Sequence, residues 1–138
     1  MRYNDTQNKT ERKIEMKLSK ERERRFETFR RWLRQNCHLG EWTIKTIIGR
    51  CKRVERALST MTEDDNLDAS FTNDGLEGVL QKLEYFTEDV HNQKEPPSGI
   101  VFRVKHSDPR YYEKVKEGLN SLHSAIKLYR GFCCENSR

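Results

Sequence analysis

In "EWTIKTIIGRCKRVERALST", residues 41–60, the apolar side chains Ile44, Ile47, Ile48, Cys51, Val54 and Leu58 recur at every third or fourth position. Placed at about 100° per residue they fill one arc of a helix. β-branched residues by themselves favour a strand, but a strand buries alternate positions, and this spacing does not alternate. The segment therefore reads as a helix with one narrow apolar stripe. Such a helix is stable only when other elements cover its stripe, so the rest of the chain must supply partners of the same kind.

The composition agrees. The chain has 138 residues, 33% apolar and 36% charged, which suits one core built from helices with wide polar faces. Seven glycines, three prolines and no long alternating run argue against an all-β fold. The expected fold class is all-α: a compact bundle of four main helices in a single domain over 19–132, with a polar basic segment at 1–18 and a tail at 133–138. The segment at 1–18 reads either as a mobile arm or as a helical extension that only partly orders.

Ser19 is positioned to cap the first helix, which runs to about Asn36 with Phe26, Phe29, Trp32 and Leu33 on one side. The second helix is the one from Glu41 to about Thr60. After it, "TEDDNLDASFTNDG" reads as a flexible acidic, turn-rich linker. Asn73 or Asp74 then caps a third helix that turns Leu76, Val79, Leu80, Leu83, Phe86 and Val90 inward. Pro96-Pro97 stops that helix. "GIVFRV" is the one strand-like run, and either a β-excursion or an irregular loop suits it. Asp108-Pro109 is a strong start for the last helix, which is expected to reach about Arg130. Its inward residues are Tyr112, Val115, Leu119, Leu122, Ile126 and Tyr129, and Gly118 is placed to divide it in two.

Charge is segregated along the chain. Residues 1–60 carry 17 Lys/Arg against 8 Asp/Glu, residues 61–95 carry 2 against 10, and residues 96–138 carry 8 against 4. Separation of this kind gives one surface a positive field and another a negative one, as when a protein meets a polyanion on one side. No apolar run is long enough for a membrane span, and no signal segment follows the basic N-terminus, so a cytoplasmic protein with no membrane partner is expected. Its four cysteines are then reduced. Cys51 reads as a buried thiol, and Cys133 and Cys134 as part of the tail. Neither the cysteines nor the four histidines have zinc-ligand spacing, so no metal and no cofactor is expected.

Two polar stripes stand out. On the second helix Lys45, Lys52 and Arg56 fall close together beside the apolar arc, and Arg50 and Arg53 continue round the back. Few acids are interleaved, although a merely soluble face would carry them at i,i+4. Gly49 lies within this basic face, where a missing side chain lets another backbone approach. On the last helix Lys116, Asn120, His123 and Lys127 form a second stripe, able to neutralise phosphates and to hydrogen-bond phosphates or base edges. The third helix bears Glu77, Glu84 and Glu88, a stripe that repels DNA and is expected to face away from it. Catalytic constellations are absent. Glu63, Asp64, Asp65 and Asp68 cluster on the acidic linker without a catalytic partner, and a non-enzymatic role is expected.

"FETFRRWLRQNCHLGEWTIKTIIGRCKRVERAL" resembles the start of the core-binding (SAM-like) domain of tyrosine recombinases, the phage integrases. Phe29, Trp32 and Leu33 match its Phe-x-x-Trp-Leu, and Leu39, Thr43 and Ile44 match the run that follows. The closing "LHSAIKLYRGF" resembles that domain's last helix through Ser124, Ala125, Ile126, Lys127, Tyr129 and Phe132. Gly40 and Ile47 depart from the family's usual serine and tyrosine. The resemblance implies a four-helix module that clamps duplex DNA with its second and fourth helices in recombination. It carries no catalytic domain, so Tyr111, Tyr112 and Tyr129 are not expected to be nucleophiles. The chain is then either a fragment of a larger enzyme or a small protein that reuses the module.

The leading expectation is a double-stranded-DNA-binding module that uses Lys45, Arg50, Lys52, Arg53, Arg56, Lys116, Asn120, His123 and Lys127. The alternative is a small protein-interaction or inhibitor protein, of phage type, docking Glu77, Glu84, Glu88 and the acidic linker on a basic partner such as a nuclease. A third, self-assembly, has only Leu128 behind it.

Overall fold

A computed structural model describes residues 18–97, 100 and 104–136. The arm before Leu18 lies outside them, as does most of "GIVFRV", of which only Ile100 and Val104 are described. Among the described residues every regular element is helical and there is no strand. Two compact units divide in sequence between Ile44 and Lys45.

In the first unit, α1 (Lys20–Asn36) begins as its sequence dictates. Ser19 Oγ accepts the Arg22 amide at 3.2 Å, satisfying a donor that the first turn leaves open. Phe26, Phe29 and Leu33 are buried, while Trp32 is half-buried with its ring stacked 6.2 Å from that of Phe29. Beyond the helix, Glu41 draws in two arginines, Arg34 at 2.5 Å and Arg30 at 3.7 Å. Trp42 is 79% exposed, unusual for so large a ring.

The helix read from the sequence, α2 (Glu41–Arg56), runs from the first unit into the second. Ile44, Ile47, Ile48, Cys51, Val54 and Leu58 are all buried. α2 ends at Arg56, short of the expected Thr60, and a single 3-10 turn, Leu58–Thr60, carries the chain away.

The acidic linker departs most from expectation. It folds as α3 (Leu67–Asp74), a fifth helix where four were expected. Asn66 Oδ1 caps it by accepting the Ala69 amide at 2.8 Å, and Asp64 takes the Ser70 hydroxyl at 2.7 Å and the Asn73 side-chain amide. Glu55, 6% exposed on α2, accepts the Leu67 amide at 3.0 Å. Asp68 takes a hydrogen bond from Tyr129 Oη at 2.9 Å and another from Cys133 Sγ at 3.3 Å. Local turn chemistry favours a loop here. Leu67, fully buried, and these contacts from outside the segment outweigh it.

Gly75 ends α3 in the left-handed region (φ 67°), where its amide reaches Phe71 O at 2.8 Å. Leu76 shares that conformation (φ 67°), at a cost of about 1–2 kcal/mol for a side chain with Cβ, offset by complete burial. α4 (Glu77–His91) follows. Its N-cap is Leu76 and not Asn73 or Asp74 as expected, although Asp74 still accepts the Gly78 amide at 3.0 Å. Val79, Leu80, Leu83 and Val90 are buried on α4, and Phe86 is half-buried.

The last helix, α5 (Tyr111–Asn136), packs along α4. It starts two residues later than Asp108-Pro109 implied. Asp108 still acts as the cap, accepting the Arg110 amide at 2.8 Å and the Lys114 ammonium at 2.5 Å. The Lys114 hydrogen bond, then that of Arg110, holds the Asp108 carboxyl below its ordinary range. A depressed carboxyl stabilises the fold above its unfolded pKa and loses that effect as pH falls through the folded one, so this cap persists into mild acid. Tyr111 donates to Glu95 at 2.6 Å, which pushes its hydroxyl up to about 12.

α5 runs without a break through Gly118 and on to Asn136. Cys133 and Cys134 therefore belong to the helix and not to a tail. Cys133 is buried beside Asp68, which explains the extra turn. Val115, Leu119, Leu122, Ile126 and Tyr129 are buried as expected, and Tyr112 is half-buried.

Replacing Asp68 by Ala should lower the unfolding free energy by about 1.5–3 kcal/mol, and Tyr129→Phe by about 1 kcal/mol. In a urea-unfolding cycle the double variant should lose less than the sum of the two. Full additivity would show that the Asp68–Tyr129 bond contributes nothing.

Candidate nucleic-acid interface

The apolar arc of α2 fixes where its cations go. With Cys51 at the centre of the buried side, its thiol donating to Ala125 O of α5 at 3.4 Å, the basic residues must lie on the flanks and back. Lys45 and Arg56 are exposed, and Arg50, Lys52 and Arg53 are half-buried. Among the described residues Lys45, Arg50 and Arg56 have no ion-pair partner, whereas Arg110 and Lys114 at the start of α5 pair with acids at 2.9 and 2.5 Å. Burial, and then the neighbouring charge of Arg56, lowers the Arg53 guanidinium below its ordinary pKa. Positive charge is thus crowded along this helix. Arg53 and Arg56 also sit in its last turn, where cations suit the helix dipole.

The second stripe is divided. α4 and α5 are antiparallel neighbours, and three polar contacts cross between them at regular intervals. Lys116 Nζ stands 3.4 Å from His91 Nδ1, His123 Nε2 3.2 Å from Glu84, and Arg130 3.4 Å from Glu77. Each step is seven residues on both helices, two turns in opposite directions, which is the repeat expected of flanking positions in a close antiparallel pair. Two acids of the third helix's stripe thus meet the polar side of the last helix, where the sequence suggested an outward stripe. Glu84 and Glu77 lie against α5, and His123, with only 19% of its side chain exposed, is engaged with Glu84. Asn120 and Lys127 remain exposed on α5, and Glu88 remains exposed on α4.

Sequence reasoning missed this ladder, although its signal was present. Glu77 and Glu84 are seven residues apart, and so are Lys116, His123 and Arg130. Complementary groups at matched heptad spacing on helices joined in antiparallel order point to cross-helix pairs before they point to a ligand.

Cys51 offers no nucleophile, because burial first, and then the negative groups of Glu55 and Cys133, push its thiol far above the ordinary range. Among the described residues no cluster of His, Cys, Asp or Glu could hold a metal ion. Of the acids expected to cluster on a loop, Asp64 and Asp68 are instead committed to hydrogen bonds within the fold. No helix among the described residues is long and apolar enough to cross a membrane. Comparison of the chain with known protein families, characterised proteins and solved structures finds no match.

Gly49 sits among the α2 cations, exposed, and a Cβ built there meets nothing within 4 Å. The close backbone approach inferred from the sequence is therefore not made by the described residues. Gly49→Ala should stabilise the protein by about 0.5–1 kcal/mol in urea unfolding. A loss of stability would mean that the helix needs glycine there for a conformational reason.

Proposed function

We propose that this protein is a non-catalytic module that binds duplex DNA, mainly through phosphate contacts made by the basic face of α2. The observation that carries this is the unpaired state of Lys45, Arg50 and Arg56. A helix that needs cations only for solubility gains a few tenths of a kcal/mol by interleaving acids at i,i+4, and α2 forgoes that gain. A polyanion supplies the missing counter-charge. Lys52 and Arg53 extend the face. Asn120 and Lys127 of α5 serve as outer contacts, while Lys116 and His123 contribute less than the sequence implied, because His91 and Glu84 hold them.

The resemblance to the core-binding domain of tyrosine recombinases supports the same assignment of the second helix. The acidic stripe weighs against the inhibitor reading, since Glu77 and Glu84 are already occupied by Arg130 and His123, which leaves Glu88 outward.

Binding of duplex DNA should fall with salt at a log–log slope of about −4 to −5, as for roughly five phosphate contacts. Changing Lys45, Lys52 and Arg56 together to glutamate should abolish binding with the helical circular-dichroism signal retained. An isotherm indifferent to salt, or one unaffected by the charge reversal, would remove the basis for a DNA module.

A further inference from the structure

Arg50 differs from its neighbours on α2. Its Nε is buried, and among the described residues it is the one buried side-chain nitrogen or oxygen without a hydrogen-bond partner. Guanidinium stays charged at any physiological pH, so this donor cannot escape its desolvation by losing a proton. A buried donor without an acceptor is a high-energy arrangement that native folds avoid unless a ligand or a movement relieves it.

We propose that Arg50 grips a single backbone phosphate side-on, through Nε and one terminal nitrogen, by leaving the position it occupies in the free protein. This rests on the DNA reading above and gives one residue of that face a distinct task.

Three physical reasons favour this. The side-on fork of Nε and a terminal nitrogen matches two oxygens of a tetrahedral phosphate, a geometry that lysine cannot offer. Moving out to a phosphate restores the hydrogen bond that Nε lacks, so bound and free positions differ in free energy in the direction that favours binding. Arg53 stands one turn further along α2, where its charge is crowded by Arg56, and an anion held at Arg50 relieves that crowding. Lys45 and Arg56, exposed by contrast, act as point charges that any phosphate nearby can use. The ligand chemistry is therefore a phosphate group with two free oxygens on one side. A DNA phosphodiester and inorganic phosphate both supply it.

The full chain, labelled with ¹⁵N, can be titrated with a short DNA duplex and separately with inorganic phosphate while the arginine Nε–H resonances are followed. Loss of one signal in Arg50→Lys assigns the Arg50 resonance. Duplex should shift that resonance strongly and phosphate should shift it weakly in the same direction. Arg50→Lys and Arg50→Gln should each weaken duplex affinity about tenfold. Duplex binding with the Arg50 signal unmoved, and with Arg50→Lys equal to the parent protein, overturns the phosphate grip and leaves the α2 face intact. A shift with phosphate but no binding of duplex overturns the DNA reading and leaves an anion site. No response to either overturns both.

Discussion

Asp68 is the residue on which the arrangement of the second unit turns. Its two carboxylate oxygens are divided between α5 partners, with Tyr129 Oη on Oδ2 and Cys133 Sγ on Oδ1. A short acidic segment is thereby fastened to the far end of the longest helix. Glu55 does the same from the other direction, reaching from α2 to the first amide of α3. Together these two acids make α3 a bracket between α2 and α5. Neither is a surface charge. Each is an acceptor placed where a backbone or side-chain donor would otherwise be buried unsatisfied. An eight-residue helix has too few internal hydrogen bonds to persist alone, so its existence depends on this anchoring.

Fastening α3 in that way has an electrostatic consequence. The acids of 61–95 are not free to form one negative surface, because the fold distributes them. Asp64 and Asp68 are turned inward to hydrogen bonds, Asp74 caps α4, and Glu77 and Glu84 are set against α5. Part of the negative block in the linear charge count is thus engaged within the unit, while Glu63, Asp65 and Glu88 stay exposed. The cations of α2 receive no such compensation at Lys45, Arg50 and Arg56.

Much of the helical framework was legible because it depends on local signals. Ser19 caps α1 and Asp108 holds the start of α5 through contacts within a few residues, and the arc from Ile44 to Leu58 shows in its own spacing. The errors fall where distant residues decide. α3 was read as a loop because Asn, Asp, Ser and Thr favour turns, and the counterweight comes from Glu55 and Tyr129, 12 and 61 residues away from their partners. The end of α5 was placed too early because Cys133 gives no helical signal of its own. It is drawn in by Asp68. The contacts of Lys116 and His123 with α4 are hidden for the same reason: side chains on one helix cannot show that the next helix carries their partners.

The α2 face and the α5 stripe differ in their surroundings, and the difference has a physical origin. A flank beside a neighbouring helix meets that neighbour's side chains, so its polar groups become part of the packing. A position that no neighbouring helix covers meets solvent instead. Lys116 and His123 occupy the first kind of position, Lys45 and Arg56 the second. Arg50 lies between them, too far round to be fully solvated and, among the described residues, without an acid in reach. An arginine in that position has its charge fixed and its hydrogen bonding incomplete.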